Sequence, residues 1–327
     1  MDKASASGPR RGIFFFTDVD FALPTLASAL EARRKVPAGR ADIRIITTGI
    51  PDDTLRLINE IARRYEIHLD KLDRSRFTGF DHSAYNKTHV PVSTLGRFFM
   101  LDVVPDIYDR ILYLDGDVWP VGDLLKLLDS ELPRGFIGAA EDRNYFRRNE
   151  FGPVGRKTRA YFSNLGIDGD AGYFNAGVLL ADTTTWREVM SDAFMFFVKN
   201  TTRCLHHDQS ALNAVTAGRR ARLAPQWNFA NSYMEWGLKH KTLPQILHFS
   251  GGDKPWAIPF HPYYETYIEA FAPLRKLGLS VRNHSVEELG ALKQRARLRK
   301  FRDELFVHRK IYYQRTFDRL VEISAIR

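Results

Sequence analysis

The chain contains very little cysteine and no long hydrophobic run. Cys204 is its only cysteine, which excludes an intramolecular disulfide and a cysteine-cluster metal site. No uncharged apolar stretch approaches the roughly 18 residues that are needed to span a bilayer. The first dozen residues carry Lys3, Arg10 and Arg11 but lack the apolar core of a signal peptide. We therefore expect a reducing, cytoplasmic setting, with residues 1–11 as a flexible leader.

Positive charge is concentrated at one end of the chain. The net charge is +9, and residues 293–327 alone contain eleven Lys or Arg against four Asp or Glu. The preceding residues are close to neutral and show no basic stripe of the kind that binds nucleic acid, so no nucleic-acid partner is expected. The 327 residues suit one large domain with an appendage. We place a catalytic domain at 12–290 and a basic, aromatic tail at 291–327.

An apolar stretch that ends in two aspartates is the most informative motif. Residues 111–114 have the pattern of a buried strand and are followed at once by Asp115-Gly116-Asp117. Side chains two residues apart on an extended backbone point the same way, so Asp115 and Asp117 can aim at one point beyond the strand end. Two carboxylates there suit a hard divalent cation such as Mg²⁺ or Mn²⁺. Two aspartates that solvate a turn are the alternative, and a bare Asp-x-Asp leaves it open.

The same Asp-x-Asp pattern occurs at two other places and provides a comparison. Asp18 and Asp20 follow the apolar run 13–16 and also lie at a predicted strand end. Asp168 and Asp170 are surrounded by glycines and predict a polar turn. Only the first pair combines a strand, an intervening glycine and a following Val-Trp-Pro turn. We therefore place the metal there.

Predicted strands alternate with predicted helices in the first half of the chain. The expected strands are 13–16, 42–48, 67–69, 111–114, 136–140, 174–181 and 246–249, and the expected helices are 24–34, 54–65 and 94–104. This alternation predicts an α/β fold with a largely parallel sheet. In such sheets ligands bind beyond the carboxyl ends of the strands. Asp18, the pair at 115 and 117, and His248 all lie at or near such ends, so three strands could converge on one site.

Five motifs follow one another along residues 13 to about 270. They are Phe16-Thr17-Asp18-Val19-Asp20-Phe21, Tyr113-Leu114-Asp115-Gly116-Asp117, Tyr173-Phe174-Asn175-Ala176-Gly177-Val178-Leu179-Leu180, His207-Asp208-Gln209-Ser210 and His248-Phe249-Ser250-Gly251-Gly252-Asp253-Lys254-Pro255-Trp256. In this order the chain resembles the retaining glycosyltransferases of family 8, the group that contains bacterial lipopolysaccharide glucosyl- and galactosyltransferases and glycogenin. Each motif alone is weak evidence, whereas the five together are strong.

The resemblance implies a GT-A fold with a largely parallel mixed sheet flanked by helices, and a UDP-sugar donor. It also implies a Mn²⁺ or Mg²⁺ ion held by Asp115, Asp117 and His248, and the histidine nitrogen favours Mn²⁺. Such an ion neutralises the diphosphate leaving group. The backbone at Gly251 and the ammonium of Lys254 are expected near the same diphosphate. Taken without its neighbours, His248 would be interpreted as a satisfied core residue.

Further positions match the donor site of the family. The residues matched to donor binding are Asp18 and Asp20 for base and ribose, Arg97 for the donor sugar, Gly116, and Asn175 and Asp208 for the sugar hydroxyls. Gln209 matches the residue under the anomeric face, and Gln209, Asp208 and Arg97 are the expected catalytic residues. The family often has Asn where this chain has Asp20, and Arg97 could instead be an ordinary surface arginine. Because glutamine is a poor nucleophile, we favour front-side substitution over a covalent intermediate.

The acceptor is expected to be a glycan such as lipopolysaccharide or a related surface polysaccharide, either free or lipid-linked. His89 and Asp142 match positions that contact a sugar acceptor in related bacterial enzymes, although both fit ordinary surface residues equally well.

The tail mixes cations with apolar side chains at near-helical spacing. The apolar residues are Phe301, Leu305, Phe306, Ile311, Tyr312, Tyr313, Phe317 and Leu320. This pattern suits a helix in an anionic membrane interface, which predicts a peripheral enzyme at the inner face of the membrane. A helix that packs its apolar side on the domain and exposes a basic face is the alternative.

Two other functions use the same residues differently. A nucleotidyltransferase of similar fold could use Asp115 and Asp117, but it would need a basic glycine-rich loop where residues 16–20 are acidic. A non-catalytic basic protein that binds membranes or nucleic acid would explain the tail and leave the five motifs unexplained.

Overall fold

The computed structural model describes residues 10–77, 92–167, 171–277, 284–305 and 307–327. Within these ranges the strands are β1 (Arg11–Thr17), β2 (Asp42–Thr47), β3 (Ile67–Lys71), β4 (Arg110–Leu114), β5 (Val118–Pro120), β6 (Ile137–Glu141), β7 (Phe174–Asp182), β8 (Arg220–Arg222), β9 (Phe229–Ala230) and β10 (Ile246–His248). The α-helices are α1 (Ala22–Lys35), α2 (Asp52–Arg64), α3 (Leu124–Leu128), α4 (Arg143–Arg147), α5 (Pro153–Leu165), α6 (Thr183–Lys199), α7 (His207–Val215), α8 (Asn231–Glu235), α9 (Tyr264–Phe271), α10 (Val286–Leu305) and α11 (Val307–Ile323). Short 3₁₀ helices span Arg74–Phe77, Val92–Asp102, Pro225–Asn228, Leu238–Lys241 and Ala272–Leu277. The predicted turn at Asp168 and Asp170 lies outside the described residues.

Seven strands form the central sheet, in the order β3-β2-β1-β4-β7-β6-β8. The strands from β3 to β4 are parallel, and β6 is parallel to β8. Strand β7 is antiparallel to both of its neighbours, β4 and β6. The predicted α/β class with a largely parallel mixed sheet is therefore confirmed.

Burial on both faces explains the apolar run of β1. Ile13 and Phe15 belong to one buried core cluster, and Phe14 and Phe16 belong to the other. Successive side chains of a strand point to opposite faces, so a strand covered on both sides has hydrophobic residues in sequence rather than in alternation. The first acidic side chain of this segment, Asp18, comes directly after the strand.

A small second sheet brings the segment that contains His248 to the end of β4. Its order is β5-β10-β9, with β10 antiparallel to β5 and parallel to β9. In this register His248 pairs with Val118, and the backbone N–H of Phe249 donates to the carbonyl oxygen of Asp117 at 3.0 Å. These pairings place His248 beside the Asp-Gly-Asp segment.

The predicted strands and the predicted helices 24–34 and 54–65 are observed with small shifts at their ends, whereas β5, β8, β9 and the helices α3 to α9 were not predicted. The predicted helix 94–104 is observed as the 3₁₀ helix Val92–Asp102. Gly96 lets this segment pack closely on β1, because a Cβ at that position would lie 1.9 Å from Cζ of Phe16. This 3₁₀ helix places Arg97 next to Asp115, directly after the end of β4.

The tail forms two helices with different surroundings. The expected boundary at residue 290 falls inside α10, and α11 packs on the domain. Tyr313, Phe317 and Leu320 are buried in the main core cluster, so the packing alternative holds for α11, and these three side chains do not face a membrane. In α10, Leu298 and Phe301 are 61% and 60% exposed.

Residues 1–9 of the expected leader lie outside the described residues, and Arg11, its last expected residue, already belongs to β1. Within the described ranges, none of the helices combines the length and hydrophobicity that crossing a bilayer requires.

Candidate active site

Three side chains of metal-ligand type converge at the carboxyl end of β4. Nε2 of His248 lies 3.3 Å from Oδ1 of Asp117 and 4.0 Å from Oδ2 of Asp115. One ligand atom from each residue lies within 4.8 Å of the other two. His248 and Asp117 are buried, and the Asp115 side chain is 24% exposed. The cluster therefore has one partly open side.

Asp117 is held as a carboxylate by its cationic neighbour. The Lys254 ammonium contacts Oδ2 of Asp117 and donates to the carbonyl oxygen of Phe249 at 2.8 Å. Burial by itself would raise the pKa of Asp117, but the charge of Lys254 holds that pKa below its ordinary value. Asp117 is consequently ionised at neutral pH.

Arg97 joins both sides of the site through its guanidinium. Nη1 donates to the carbonyl oxygen of Ala176 at 2.8 Å, and Nη2 donates to Oδ1 of Asp115 at 2.9 Å. Nε lies 2.8 Å from Oδ2 of Asp208, close enough for an ion pair, although its N–H is not directed at that oxygen. The guanidinium also lies over the Tyr113 ring, 4.7 Å from the centroid. Arg97 is thus a buried residue of the site rather than an ordinary surface arginine.

Charge pairing keeps Arg97 protonated despite its burial. Burial would lower the pKa of Arg97, but the charge of Asp208 raises it above its ordinary value. For Asp208 burial dominates and raises the pKa, while Arg97 opposes that shift. The Arg97 guanidinium faces two carboxylates, those of Asp115 and Asp208, and both favour its charged form.

Side-chain amides form a continuous network beside the metal-ligand cluster. Oδ1 of Asn175 accepts from the backbone N–H of Gly177 at 3.0 Å and from Nδ2 of Asn228 at 2.9 Å. Oδ1 of Asn228 lies 2.7 Å from Nδ1 of His248. Oε1 of Gln209 accepts from the backbone N–H of Ala176 at 3.1 Å and from Nδ2 of Asn175 at 3.2 Å. The carbonyl end of Gln209 is therefore held by two donors.

Two glycines leave room for the cluster. A Cβ at Gly177 would lie 2.3 Å from Cε1 of His248 and 2.8 Å from Oδ2 of Asp115. A Cβ at Gly116 would lie 2.1 Å from Oγ1 of Thr25. Real Cβ atoms do not approach so closely, so both positions require glycine.

Asp18 and Asp20 lie at the same edge of the sheet but outside the metal-ligand cluster. Oδ1 of Asp18 accepts from the backbone N–H groups of Asp20 and Phe21, at 3.1 and 3.2 Å. Asp20 is exposed. Because β1 and β4 are parallel neighbours, both aspartates follow a strand that ends beside Asp115.

The glycine-containing loop after β10 is anchored from one side. Gly251 is exposed, with a φ of 90° that favours glycine. Nδ2 of Asn231 donates to the carbonyl oxygens of Ser250 and Asp253, at 3.2 and 3.3 Å. The loop therefore has a fixed base and an exposed tip.

Of the two expected acceptor residues, the structure describes one. Oδ1 of Asp142 caps α4 by accepting from the backbone N–H of Asn144 at 2.8 Å, and Oδ2 lies 3.4 Å from Nδ2 of Asn175. Asp142 therefore borders the amide network. His89 lies outside the described residues.

Three residues of the site were not assigned roles from the sequence. Tyr113 donates its hydroxyl to Oδ1 of Asp115 at 2.8 Å, Gly177 packs on His248, and Asn228 bonds to it. Tyr113 and Gly177 belong to two of the five sequence motifs, so their positions in strands beside the predicted site could have indicated a role. Asn228 gave none, because its partners are 20 and 53 residues away in the chain.

The donor set fits a divalent cation. Asp115 and Asp117 supply carboxylate oxygens, His248 supplies a nitrogen, and the missing Cβ of Gly177 leaves space between them. Two oxygens and one imidazole nitrogen suit Mn²⁺ and related ions.

Comparison with known proteins gives one family. The family model described as Glycosyl transferase family 8 matches residues 12–258. General stress protein A of Bacillus subtilis (strain 168) is 25% identical over 243 residues, covering 68% of this chain and 79% of that protein. Lipopolysaccharide glucosyltransferase WaaO of Escherichia coli (strain K12) is 26% identical over 259 residues, covering 75% of this chain and 72% of that protein.

The fold is shared with a solved glycosyltransferase. The structure of the galactosyltransferase LgtC in complex with donor and acceptor sugar analogs has a TM-score of 0.65 and 21% identity, covering 85% of this chain and 99% of that chain. The expected GT-A fold is confirmed by this likeness.

Proposed function

The chain belongs to glycosyl transferase family 8, and from that premise we propose that it moves glucose or galactose from a UDP-sugar to a glycan acceptor, with retention of configuration. The observation that carries the proposal is the convergence of Asp115, Asp117 and His248 beside the Arg97 and Asn175 network. Family membership makes the chain a glycosyltransferase, which leaves the nucleotidyltransferase and the non-catalytic alternatives without support.

Asp115, Asp117 and His248 would hold a Mn²⁺ or Mg²⁺ ion, which when bound neutralises diphosphate charge as a Lewis acid. Lys254 supplies a further positive charge from the loop after β10. Its present partner Asp117 is also a proposed metal ligand. The proposed diphosphate site is thus bordered by one cation of the chain itself and by the backbone of Gly251.

Asp18 and Asp20 are proposed to bind the base and ribose. Their position after β1, next to the end of β4, supports this role, and carboxylates accept hydrogen bonds from a uracil N–H or ribose hydroxyls. Gly116 lies between the two metal-ligand aspartates and completes the proposed donor contacts.

The donor sugar is proposed to lie over Arg97, Asn175, Asp208 and Gln209. In front-side substitution the bond from the anomeric carbon to the diphosphate oxygen breaks and its electron pair leaves with the diphosphate. The acceptor oxygen bonds to the same face of that carbon, and its proton passes to the leaving oxygen. Arg97 orients Asp115 and Asp208 on either side of the sugar. Gln209, whose carbonyl end is held by Ala176 and Asn175, needs no covalent role.

A lipopolysaccharide or related surface glycan, either free or lipid-linked, is proposed as the acceptor. The similarity to WaaO, a lipopolysaccharide glucosyltransferase, supports this class. Asp142 is the described residue best situated to contact it, because its Oδ2 borders Asn175. His89 is retained as the second proposed contact from the sequence alone.

We also propose peripheral binding to an anionic membrane surface on the cytoplasmic side, through α10 rather than α11. Lys293, Arg295 and Arg297 are exposed there, next to the exposed Leu298 and Phe301. Cations interspersed with exposed apolar side chains suit an anionic lipid surface.

The experiment is a donor screen with direct measurement of released UDP. The protein is incubated with UDP-glucose, UDP-galactose and other UDP-sugars, each with Mn²⁺, with Mg²⁺ or with a chelator, and with or without lipopolysaccharide core acceptors. We expect one UDP-hexose to release UDP in the presence of a divalent cation, and faster with a suitable acceptor. Asp117→Asn serves as the inactive control. Absence of UDP release from every donor, or equal release by that control, would overturn the proposal.

A further inference from the structure

We infer that Asn228 is a positioning residue that orients His248 for metal binding and couples it to the sugar-side residue Asn175. This inference rests on the proposed metal-dependent function, but it concerns a residue outside the five sequence motifs. Asn228 ends the 3₁₀ helix Pro225–Asn228, directly before β9. Its side chain is buried, with 1% of the residue exposed.

A backbone donor determines which atom of each side-chain amide is the oxygen and which is the nitrogen. The N–H of Gly177 can only donate, so the Asn175 atom 3.0 Å away must be its carbonyl oxygen Oδ1. The Asn228 atom 2.9 Å from that oxygen must then be the donor Nδ2. The other end of the Asn228 amide, 2.7 Å from His248 Nδ1, is therefore Oδ1, an acceptor.

This direction determines which nitrogen of His248 carries a hydrogen. An acceptor at 2.7 Å requires Nδ1 to donate, so the Nδ1 atom is protonated. Nε2, which faces Asp115 and Asp117, is then the ring nitrogen left to bind a metal ion. Partners that hold the distal nitrogen of a ligand histidine commonly set its orientation in this way.

The Asn228 side-chain amide also links the proposed sugar contact Asn175 to the proposed metal ligand His248. Asn175 uses its Oδ1 for Asn228 and Gly177, and its Nδ2 for Gln209. Loss of the Asn228 donor would leave Oδ1 of Asn175 held by Gly177 alone and would weaken the hold of Asn175 on Gln209. Asn228 thus bonds both to a proposed metal ligand, His248, and to a proposed sugar contact, Asn175.

Two substitutions separate these two roles. Asn228→Ala removes both hydrogen bonds, whereas Asn228→Asp keeps an acceptor for His248 Nδ1 and places an oxygen against Asn175 Oδ1. Mn²⁺ affinity is measured by electron paramagnetic resonance of the free ion, donor KM and kcat by UDP release, and the proton on His248 Nδ1 by NMR of ¹⁵N-histidine-labelled protein. Asn200→Ala is the control, because this half-buried amide lies at the end of α6 and bonds to the carbonyl oxygen of Phe196.

We expect Asn228→Ala to weaken Mn²⁺ binding about 10- to 100-fold. Asn228→Asp should bind Mn²⁺ within about threefold of the wild type yet lose kcat, because only its sugar-side bond is broken. The wild type should show a hydrogen on His248 Nδ1. Should the alanine variant fail to fold, the aspartate variant and the wild-type NMR spectrum still test the inference.

Three results would overturn the inference. They are an unprotonated Nδ1 in the wild type, unchanged Mn²⁺ affinity in Asn228→Ala, and equal losses of Mn²⁺ affinity in Asn228→Asp and Asn228→Ala. A wild type that binds no Mn²⁺ would instead contradict the proposed metal dependence, so the two failures are distinguishable.

Discussion

Gly177 and His248 pack so closely that the space between them admits no further atom. A Cβ on Gly177 would lie 2.3 Å from Cε1 and 2.8 Å from Nδ1 of the His248 ring. Gly177 belongs to β7 and His248 to β10, so this contact joins the central sheet to the second sheet. The same strand supplies the backbone donors that orient Asn175 and Gln209.

We expect Gly177→Ala to displace His248 and to lower Mn²⁺ affinity and transfer at least about 10-fold, since overpacking of a rigid interior costs roughly 1–3 kcal/mol. Gly290→Ala is the matched control, because among the described residues no atom beyond its chain neighbours and its own helix backbone lies within 4 Å of a Cβ there. The measurements are Mn²⁺ binding, UDP release and thermal unfolding. Wild-type metal affinity in Gly177→Ala would show that the ring has more freedom than the packing indicates.

Asp117→Asn should abolish Mn²⁺ binding and lower transfer by about 100-fold or more, because it removes both a charge and a ligand oxygen. Asp115→Asn should act similarly and also release Arg97. Circular dichroism should show that both variants stay folded. Asp106→Asn, whose carboxylate pairs with Arg187 on the surface, should behave as the wild type. Undiminished turnover of Asp117→Asn across a Mn²⁺ titration would refute the metal assignment.

Gln209→Ala should lower kcat about 100-fold while changing donor KM much less, because its proposed partner is the positive charge that develops at the anomeric carbon. An interaction made only in the transition state appears in kcat and in kcat/KM alike. Steady-state kinetics with the active UDP-sugar measures both constants. A Gln209→Ala enzyme with unchanged kcat would rule out this role.

Acidification should destabilise the fold through His207. Burial, followed by the charge of His206, lowers the pKa of His207 to about 4, from an ordinary value of 6.5. In the unfolded chain His207 therefore binds a proton below about pH 6.5, whereas in the folded chain it stays neutral down to about pH 4. The contribution of neutral His207 to the free energy of unfolding is complete above about pH 6.5. It is lost as the pH falls toward about 4, by at most about 3 kcal/mol.

His207→Asn should reduce this loss, because Asn does not titrate and tolerates the φ of 49° at this position. Denaturant unfolding between pH 7 and pH 4 measures the difference. The exposed variant His240→Asn is the control. A variant with the same pH slope as the wild type would show that other groups, such as His261, carry the effect.

Replacing Lys293, Arg295 and Arg297 by Gln should weaken binding to anionic vesicles, measured by co-sedimentation, on the order of 100-fold, because each of the three cations contributes about 1 kcal/mol near an anionic leaflet. UDP release in solution should stay intact. Added salt should weaken binding of the wild type. Substitution is preferable to truncation, because removing α11 would uncover the core side chains Phe317 and Leu320.

A matched triple variant on α2, with Arg56, Arg63 and Arg64 changed to Gln, removes three exposed charges from another surface. It should keep vesicle binding. Equal losses in both variants would indicate binding by net charge alone, and no binding by the wild type at low salt would refute the membrane proposal.

Much of the central sheet could be predicted from local sequence. Uninterrupted apolar runs such as 13–16 identify strands that are buried on both faces, and the aspartates that follow them mark the edge where ligands bind. The spacing of Asp115 and Asp117 placed two carboxylates on one side of the backbone. Five motifs in order identified the family, because each preserves local backbone and side-chain chemistry.

Only the tertiary structure decided how distant segments meet. His248 joins the aspartates because β10 pairs with β5, and Asn228 reaches His248 because β9 lies beside β10. The sequence carries no local record of either pairing. For α11, an apolar stripe fits a membrane and a protein core equally well, since both remove it from water. Packing against the domain decided between them, and burial of Tyr313, Phe317 and Leu320 leaves α10 as the exposed basic helix.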